Sequence, residues 1–303
     1  MRVFVTGVGG QLGHDVMNEL AARGHEGFGS DIKETYSGIQ DGTPVCTMPY
    51  IQADITNPET VAEAIRSCHP DVVVHCAAWT AVDAAEDEDK QELVKKINAD
   101  GTRNIAQVCR ELDCKMVYIS TDYVFDGQGS EPWDPDCKDY KPLNVYGETK
   151  LAGELAVSEL LEKYFIVRIA WVFGKNGSNF IKTMLRVGKN HDRLTVVNDQ
   201  IGTPTYTYDL ARLLVDMAET KKYGYYHATN EGGYISWYDF AKEIFRQAGM
   251  DVTVKPVTSA EYPAKAKRPF NSRLEKKKLT EHGFKRLPDW QDALSHYLKE
   301  LEK

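Results

Sequence analysis

The chain has 303 residues, of which 42% are hydrophobic and 27% are charged, and its formal net charge at pH 7 is −8. This length predicts one large α/β domain with a smaller appended one, and the composition is that of an ordinary globular protein. The negative charge argues against a general nucleic-acid-binding protein, and no run approaches the roughly 20 apolar residues that span a bilayer.

The N-terminal residues predict a strand and a cellular location. "RVFVT" (2–6) runs directly into glycines, without the longer apolar segment and cleavage site of a signal peptide. The six cysteines include no C-x-x-C pair and no histidine at zinc spacing. We therefore expect reduced thiols in a cytoplasmic protein that has no membrane partner.

A glycine-rich turn follows this first strand. "TGVGGQLG" places Gly7, Gly10 and Gly13 in a G-x-x-G-x-x-G spacing between the strand and the next helix. Glycines permit a tight turn and a close approach of the backbone, and a helix N-terminus offers unpaired N–H groups to a pyrophosphate. In this position the motif predicts dinucleotide binding in preference to a simple turn.

Asp31 lies where the second strand of such a domain ends, eighteen residues beyond Gly13. A carboxylate at this point accepts hydrogen bonds from the adenosine ribose and repels a 2′-phosphate, which favours NADH. Lys33 is close enough in sequence to weaken that preference. The predicted cofactor is therefore NADH or NADPH, with the balance toward NADH.

The third and fourth strands end in residues that suit a dinucleotide. In "ADI" (53–55), Asp54 is placed to accept a hydrogen bond from the adenine amine. The alternative role of helix N-cap fits Thr56 or Asn57 better. "DVVVHCAA" (71–78) then places small alanines at the end of the fourth strand, where a cofactor needs room.

Apolar strands and helical patterns alternate through the first half of the chain. Runs rich in β-branched residues, typical of strands buried on both faces of a parallel sheet, occur at 2–6, 72–78 and 115–120. Helical patterns occur at 11–23, 58–68 and 88–112. This alternation predicts an α/β fold with a Rossmann-type, doubly wound parallel sheet over residues 1–170. The elements then become shorter, and we expect residues 171–303 to form mainly a smaller substrate-binding lobe, interleaved with the last strands of the sheet.

"VYGETKLAGE" (145–154) places Tyr146 and Lys150 four residues apart at the start of a helix. Residues with this spacing are neighbours on any helix, so the pair is informative only together with other motifs. A free tyrosine has a pKa of about 10, and a nearby ammonium together with a positively charged nicotinamide favours the phenolate. Beside a nicotinamide ribose, Tyr146 would donate a proton to a carbonyl oxygen while hydride arrives at its carbon.

A further group is needed to hold the substrate carbonyl. "YISTDYVFDG" supplies Thr121 as a hydroxyl donor at the end of the fifth strand. Alone, Thr121 is more typical of a turn residue, and Tyr146 and Lys150 are two side chains on one helical face. The conjunction of the glycine-rich turn, this hydroxyl and the Y-x-x-x-K motif favours a catalytic trio.

"TGVGGQLG", "DVVVHCAA", "STDYVF" and "YGETK" together resemble the extended short-chain dehydrogenase/reductases, which act mainly on nucleotide sugars. Within that group, "AAWTAVDAAEDE", "PLNVYGETKLAGE", "RIAWVFG", "NDQIGTPT" and "RPFNSRL" are similar to the dTDP-4-dehydrorhamnose reductase family. The resemblance runs from Met1 to about Leu274 and into the final helices. It implies that NADH or NADPH reduces the C4 ketone of dTDP-4-dehydro-L-rhamnose to dTDP-L-rhamnose.

The resemblance also implies roles for individual residues. The catalytic residues would be Thr121, Tyr146 and Lys150. The cofactor would contact Gly7, Gly10, Gln11, Leu12, Gly13, Asp31, Asp54, Ile55, Ala77, Ala78, Tyr146 and Lys150. The substrate would contact Thr121, Asp122, Tyr123, Trp171, Asn179, Thr203 and Arg268. Arg268 also suits the diphosphate chemically, because a guanidinium binds phosphate oxygens in a bidentate manner, whereas Trp171 has an alternative role in the core.

Other readings of the chain stay open. One is a reductase of another nucleotide-linked keto-deoxysugar, and another is a non-catalytic regulatory subunit like that of methionine adenosyltransferase. Certain members of the resembling family dimerise through acidic residues and magnesium, and "EDEDKQE" (86–92) is acidic enough to suggest Mg²⁺. A solvated helix start explains this segment better, so we assign no metal ligand and expect a monomer or a homodimer.

Overall fold

The structure is a computed structural model that describes residues 1–302. Its strands are β1 (Arg2–Thr6), β2 (Glu26–Asp31), β3 (Tyr50–Gln52), β4 (Val72–His75), β5 (Lys115–Thr121), β6 (Tyr164–Ile169), β7 (Val172–Phe173), β8 (Arg193–Val197), β9 (Ile201–Gly202), β10 (Thr205–Tyr206), β11 (Gly224–His227), β12 (Ile235–Ser236) and β13 (Thr253–Val257). Its α-helices are α1 (Gln11–Ala22), α2 (Pro58–Cys68), α3 (Gln91–Lys95), α4 (Gly101–Glu111), α5 (Val145–Leu160), α6 (Phe180–Gly188), α7 (Thr207–Ala218), α8 (Trp237–Gln247), α9 (Lys277–Glu281) and α10 (Trp290–Leu301). Within residues 1–302, no helix has the length and apolar character needed to cross a membrane.

Seven parallel strands form the central sheet, in the spatial order β11–β6–β5–β4–β1–β2–β3. Six of them follow the 3-2-1-4-5-6 order of dinucleotide-binding sheets. This arrangement confirms the predicted Rossmann-type, doubly wound fold. The winding direction reverses between β1 and β4, so a crevice opens at the carboxyl ends of these two strands.

Helices cover both faces of the sheet, which explains why its strands are apolar on both sides. Val3 and Val5 of β1 pack on one face with α1 and with α7, which lies beside α1. Phe4 of the same strand packs on the opposite face with α2, α4 and α5. All three side chains are fully buried, as expected for a parallel sheet between two helical layers.

The helical pattern at 88–112 corresponds to three consecutive helical segments in the structure. After α3, a π-helical turn spans Lys96–Asp100, and α4 follows it. Single π-helical turns interrupt the regular hydrogen bonding of an α-helix and are frequent at functional sites. This turn carries Asn98, whose buried side chain reaches the site described below.

Shorter elements dominate the second half of the chain. Phe173, Phe240 and Tyr297 form an aromatic core together with residues of α6, α8 and α10. The short strands pair outside the main sheet, β8 with β13 and β7 with β10. β11 differs from them, because it joins the main sheet beside β6. The chain therefore leaves the central sheet after β6 and later returns to its edge.

Candidate active site

A cleft of about 260 Å³ lies at the carboxyl ends of β1 to β4, where the strand order reverses. Its lining residues are Thr6, Gly7, Gly10, Ser30, Asp31, Ile32, Ala53, Asp54, Ile55, Cys76, Ala77, Ala78 and Ile97. The cleft brings together many of the residues predicted for the cofactor, namely Gly7, Gly10, Asp31, Asp54, Ile55, Ala77 and Ala78. The other predicted residues of the glycine-rich segment, Gln11, Leu12 and Gly13, form the first turn of α1.

The glycine-rich turn leaves no room for side chains. Gly7 has a φ of +70°, and a Cβ at this position would lie 2.6 Å from the backbone nitrogen of Ala77. A Cβ on Gly13 would overlap the carbonyl of Gly7. α1 begins at Gln11, and its N-cap Gly10 has no side chain to pair with the first N–H groups of the helix. The open backbone and these N–H groups fit the pyrophosphate of a dinucleotide.

The Asp31 carboxylate forms part of the cleft wall at the end of β2. It accepts a 3.0 Å hydrogen bond from the N–H of Gly9 and a 2.8 Å bond from the N–H of Ile32. An ionised carboxylate has about four acceptor positions, so it can also accept hydrogen bonds from a ribose.

Asp54 follows β3 and takes part in a local turn. Its Oδ1 atom accepts hydrogen bonds from the N–H and the hydroxyl of Thr56, at 2.9 and 2.8 Å. The N-cap of α2 is Asn57, which accepts bonds from the N–H groups of Glu59 and Thr60. This confirms that the capping role belongs to a neighbour of Asp54, whereas Asp54 itself lines the cleft.

Lys150 is buried on α5 and held by groups of β5. Its Nζ donates a 2.7 Å hydrogen bond to the carbonyl of Ile119 and lies 4.2 Å from the centre of the Tyr118 ring. Burial lowers the pKa of the ammonium to about 7. Burial also raises the pKa of the Cys76 thiol in the cleft to about 12, and Lys150 is near enough to oppose that rise. The lysine therefore lies between the helix and the cofactor cleft.

Tyr146 precedes Lys150 by one helical turn, and its ring meets the ring of Tyr123 edge to face at 5.5 Å. Burial raises the pKa of the Tyr146 phenol, and a hydrogen bond with Thr121 acts in the opposite direction. From the sequence we expect Lys150 to lower this pKa. In the structure the lowering effect comes from Thr121, and the ammonium of Lys150 donates its hydrogen bond to the Ile119 carbonyl. Tyr146 is thus held as a neutral phenol.

Thr121 ends β5 and bonds to the two residues that follow it. Its hydroxyl donates a 3.0 Å hydrogen bond to Asp122 and accepts a 3.2 Å bond from the N–H of Tyr123. Asp122 is almost fully buried. Burial raises the pKa of its carboxyl to about 6, against the opposing effect of the nearby Ser272 and of the hydrogen bond from Thr121. The Asp122 carboxyl therefore contacts the hydroxyl of Thr121 directly.

Asn98 was not predicted from the sequence, although it links the loop after β4 to α5. Its Oδ1 accepts a 2.8 Å hydrogen bond from the N–H of Trp79, and its Nδ2 donates to the Trp79 carbonyl and to Thr149 at 3.2 and 3.1 Å. Thr149 is adjacent to Lys150 on α5. A lone asparagine in a helical pattern carries no signal for such a role, because the π-helical turn that directs its side chain inward is not visible in the sequence.

Trp171 has an unusual backbone conformation between β6 and β7. Its φ is +52°, which is rare for a bulky residue and marks positions that the surrounding structure holds in place. The indole stacks on Trp237, with ring centres 3.8 Å apart and planes 18° apart. Trp171 is partly exposed and borders two hydrophobic clusters. This position is compatible both with a role in the core and with a role in substrate binding.

Three other predicted substrate residues are engaged by groups of the protein itself. Asn179 caps α6 through its Oδ1, and its Nδ2 donates to Gln11 at 3.0 Å. The Thr203 hydroxyl donates to the carbonyl of Gly233 at 2.8 Å. Arg268 forms a 2.7 Å ion pair with Asp83. Arg268 would have to leave Asp83 to bind a diphosphate. Asn179 contacts the start of α1, next to the glycine-rich turn, through Gln11.

The acidic segment 86–92 makes contacts that need no metal ion. Glu86 accepts a 2.8 Å hydrogen bond from the N–H of Val145 at the start of α5. Asp87 pairs with Lys265 and Lys90, and hydrogen bonds from these two lysines lower the pKa of its carboxyl to about 2. Within residues 1–302, no group of three or more His, Cys, Asp or Glu side chains is arranged to hold a metal ion.

Known proteins match this chain from end to end. Residues 1–303 match the family model described as the RmlD substrate binding domain. The dTDP-4-dehydrorhamnose reductase of Escherichia coli strain K12 is 39% identical, over 99% of this chain and 98% of that protein. The structure of dTDP-4-dehydrorhamnose reductase from Bacillus anthracis in complex with NADP is 40% identical with a TM-score of 0.88, over 99% of both chains. The Clostridium acetobutylicum dTDP-4-dehydrorhamnose reductase structure is 40% identical with a TM-score of 0.89, over 100% of both chains.

These matches agree with the strand order described above. They also confirm the resemblance that the sequence motifs indicate. Because the family model covers the whole chain and the relatives align over nearly all of it, the protein belongs to the RmlD substrate binding domain family.

Proposed function

We propose that this protein uses NADH or NADPH to reduce the C4 ketone of dTDP-4-dehydro-L-rhamnose to dTDP-L-rhamnose. The observation that carries the proposal is the grouping of Thr121, Tyr146 and Lys150 next to the glycine-rich cleft. It occurs in a chain that is 39% identical to a dTDP-4-dehydrorhamnose reductase over 99% of its length. The substrate class is therefore a nucleotide sugar.

The residues of the chain supply the proton and hold the ketone, whereas the coenzyme, when bound, supplies the hydride. Burial raises the pKa of Tyr146, so the phenol keeps its proton at neutral pH until a carbonyl oxygen accepts it. The Thr121 hydroxyl lies beside this phenol and provides a second donor for the same oxygen. The Lys150 ammonium, fixed on the Ile119 carbonyl, lies near Cys76 of the cleft and is assigned to the coenzyme side of the site.

The substrate would lie between this trio and the second half of the chain. We assign Asp122, Tyr123, Trp171, Asn179, Thr203 and Arg268 to its surroundings. Arg268 is the residue best suited to the diphosphate, because its guanidinium already pairs with the Asp83 carboxylate and a phosphate can replace that partner. In this proposal residues 1–170 form the dinucleotide-binding domain and residues 171–303 mainly the substrate-binding lobe.

Reduction is favoured over dehydration by the residue after Asp122. The resembling 4,6-dehydratases carry Thr-Asp-Glu at the end of the fifth strand, because elimination of water from the sugar needs carboxyl acid and base groups there. Tyr123 occupies the position of that glutamate. With one of the two carboxyls absent, transfer of a hydride and a proton to a ketone is the simpler chemistry for this site.

We also propose a preference for NADH and a cytoplasmic location. The Asp31 carboxylate is fixed by two backbone N–H groups at the cleft wall, where it opposes a 2′-phosphate. The solved relative from Bacillus anthracis contains NADP, so the preference is one of degree. The six cysteines are free thiols, as expected for a reducing compartment.

The test is turnover with dTDP-4-dehydro-L-rhamnose that is generated enzymatically. Oxidation of NADH and of NADPH would be followed by absorbance, and the product would be identified by mass spectrometry. Formation of dTDP-L-rhamnose, faster with NADH, is the expected result. Tight coenzyme binding without turnover would instead favour another keto-sugar nucleotide as substrate, or a regulatory protein without catalysis.

A further inference from the structure

Asn176 lies in the loop between β7 and α6, yet its side chain contacts the glycine-rich turn. Its Nδ2 donates hydrogen bonds to the carbonyls of Gly9 and Gly10, at 3.0 and 3.4 Å. Its Oδ1 accepts a 3.1 Å bond from the N–H of Ile39, in the segment after β2. The residue is 4% exposed, so water does not compete strongly for these bonds. One amide thus joins three separate parts of the chain.

The carbonyls held by Asn176 determine where neighbouring N–H groups point. The carbonyl of Gly10 and the N–H of Gln11 belong to one planar trans peptide, in which the two groups point in opposite directions. Fixing the Gly10 carbonyl on Asn176 therefore fixes the direction of the Gln11 N–H. That N–H is the first of α1 and has no partner within the helix.

The preceding peptide is held from both of its sides. The Gly9 carbonyl accepts from Asn176, and the Gly10 N–H of the same peptide donates to the Gly7 carbonyl at 3.0 Å. A Cβ on Gly38 would overlap the Nδ2 atom of Asn176, so the segment after β2 also encloses the amide. The turn is therefore braced by a residue from outside the segment that carries its glycines.

We propose that Asn176 is a positioning residue for the coenzyme, which orients the Gln11 N–H at the end of the glycine-rich turn toward the pyrophosphate. The inference rests on the proposed function, because it concerns the same dinucleotide site. It adds a residue from the second half of the chain to a motif that otherwise lies within the first thirteen residues. Binding of the pyrophosphate should therefore depend on Asn176, whereas binding of the adenosine portion should not.

The principal variant is Asn176→Asp. The carboxylate keeps an oxygen for the N–H of Ile39, but it loses the Nδ2 donor and places negative charge against the carbonyls of Gly9 and Gly10. Asn176→Ala removes all three bonds and provides a second test if the aspartate variant does not fold. Lys175→Ala is the matched control, because Lys175 forms a 2.9 Å ion pair with Asp41, in the segment after β2, without contacting the turn.

Affinities of the purified full-length proteins would be measured by calorimetry for ADP-ribose and, in competition with it, for adenosine. ADP-ribose contains the pyrophosphate, and adenosine keeps only the adenine and ribose. We expect Asn176→Asp to weaken the affinity for ADP-ribose about tenfold, while the affinity for adenosine changes by less than about twofold. Lys175→Ala should change the affinity for neither ligand. Thermal melting of each variant would establish that the comparison is between folded proteins.

Three results would overturn the inference. Unchanged binding of ADP-ribose to the folded Asn176 variants would show that the bonds to the turn do not orient it for the ligand. Equal weakening of ADP-ribose and adenosine would show a general structural role. Failure of the wild-type protein to bind ADP-ribose would overturn the proposed coenzyme site, and the inference with it. The first two results presuppose that the wild-type protein binds ADP-ribose. A failure of the proposed function is therefore distinguishable from a failure of the inference alone.

Discussion

The hydroxyl of Thr121 donates its hydrogen bond to the carboxylate of Asp122, the next residue along the chain, at 3.0 Å. A hydroxyl has only one proton to donate, so while Asp122 is ionised that proton is not available to a substrate ketone. A protonated Asp122 can act as the donor, which frees the Thr121 proton for the substrate oxygen. The ionisation of a buried carboxyl therefore affects the group that binds the ketone.

This relationship predicts a pH dependence. Burial raises the pKa of Asp122 to about 6, so kcat/KM of the wild-type protein should fall as the pH rises through about 6. Asp122→Asn introduces an amide that is neutral at every pH and can donate to Thr121, so the decline around pH 6 should be absent from this variant, leaving only the change near pH 7 that comes from Lys150. The measurement is a pH profile of steady-state reduction. The same decline in both proteins would exclude Asp122 as its origin.

Removal of the Tyr146 hydroxyl should abolish most reduction without loss of coenzyme binding. Tyr146→Phe keeps the ring that packs edge to face on Tyr123, and it removes only the proton donor. We expect kcat to fall by about 10² to 10⁴ while the NADH dissociation constant changes little. Tyr164→Phe, at the opposite end of the sheet, is the matched control and should reduce the substrate at the wild-type rate. Undiminished reduction by the Tyr146 variant would contradict the assigned role.

The Arg268–Asp83 ion pair predicts opposite effects for its two partners. If Arg268 exchanges Asp83 for the substrate diphosphate, Arg268→Ala should raise KM for the nucleotide sugar by about tenfold or more. Asp83→Asn should lower KM, because it removes the competing charge but keeps an oxygen for its 3.0 Å hydrogen bond from the N–H of Ala266. Steady-state kinetics at saturating coenzyme would measure both. A rise in KM for both variants would indicate that the intact ion pair, and not the free guanidinium, is needed.

Asp15 predicts how stability depends on pH. It is buried on α1 and accepts a 2.5 Å hydrogen bond from the Thr207 hydroxyl. Burial raises the pKa of its carboxyl from 3.8 in the unfolded chain to about 7. Because the folded state binds this proton more tightly, the stabilising contribution is fully present below about pH 4 and is lost as the pH rises through about 7.

The Asp15→Asn variant should therefore be less sensitive to pH than the wild-type protein. Its neutral amide can still accept the bond from Thr207. Urea unfolding at pH 5 and pH 8 should show that the free energy of unfolding of the wild-type protein decreases by about 3 kcal/mol more than that of Asp15→Asn. The exposed Asp251→Asn serves as the control for the loss of one carboxylate. Equal pH dependence in Asp15→Asn and the wild-type protein would show that Asp15 does not titrate in this range.

The fold and the cofactor cleft could be predicted because their signals are local. Buried parallel strands are apolar at consecutive positions, and a turn in which a Cβ of Gly7 would lie 2.6 Å from Ala77 requires glycine. Asp31 and Thr121 follow from the same logic, since each occupies the last position of its strand. Strand ends meet at one edge of a parallel sheet, so residue order alone places these side chains near one another.

The contacts that could not be predicted depend on residues distant in the sequence. Arg268 lies beside Asp83 and Asn176 beside Gly9, and the sequence contains no pattern that pairs them. The π-helical turn that directs Asn98 inward interrupts an otherwise regular helical pattern. Tertiary packing determines such features, so a motif can identify a site residue without indicating which partner holds it.

The return of the chain to the edge of the central sheet affects how the protein folds while it is being synthesised. β6 is complete at Ile169, but the strand that pairs with its outer edge begins only at Gly224. Until that segment leaves the ribosome, one side of β6 presents unpaired N–H and C=O groups, to which a strand of another nascent chain can bind. Translation of the intervening residues is therefore the interval in which aggregation competes with folding, and a fragment that stops at residue 170 would keep this edge exposed permanently.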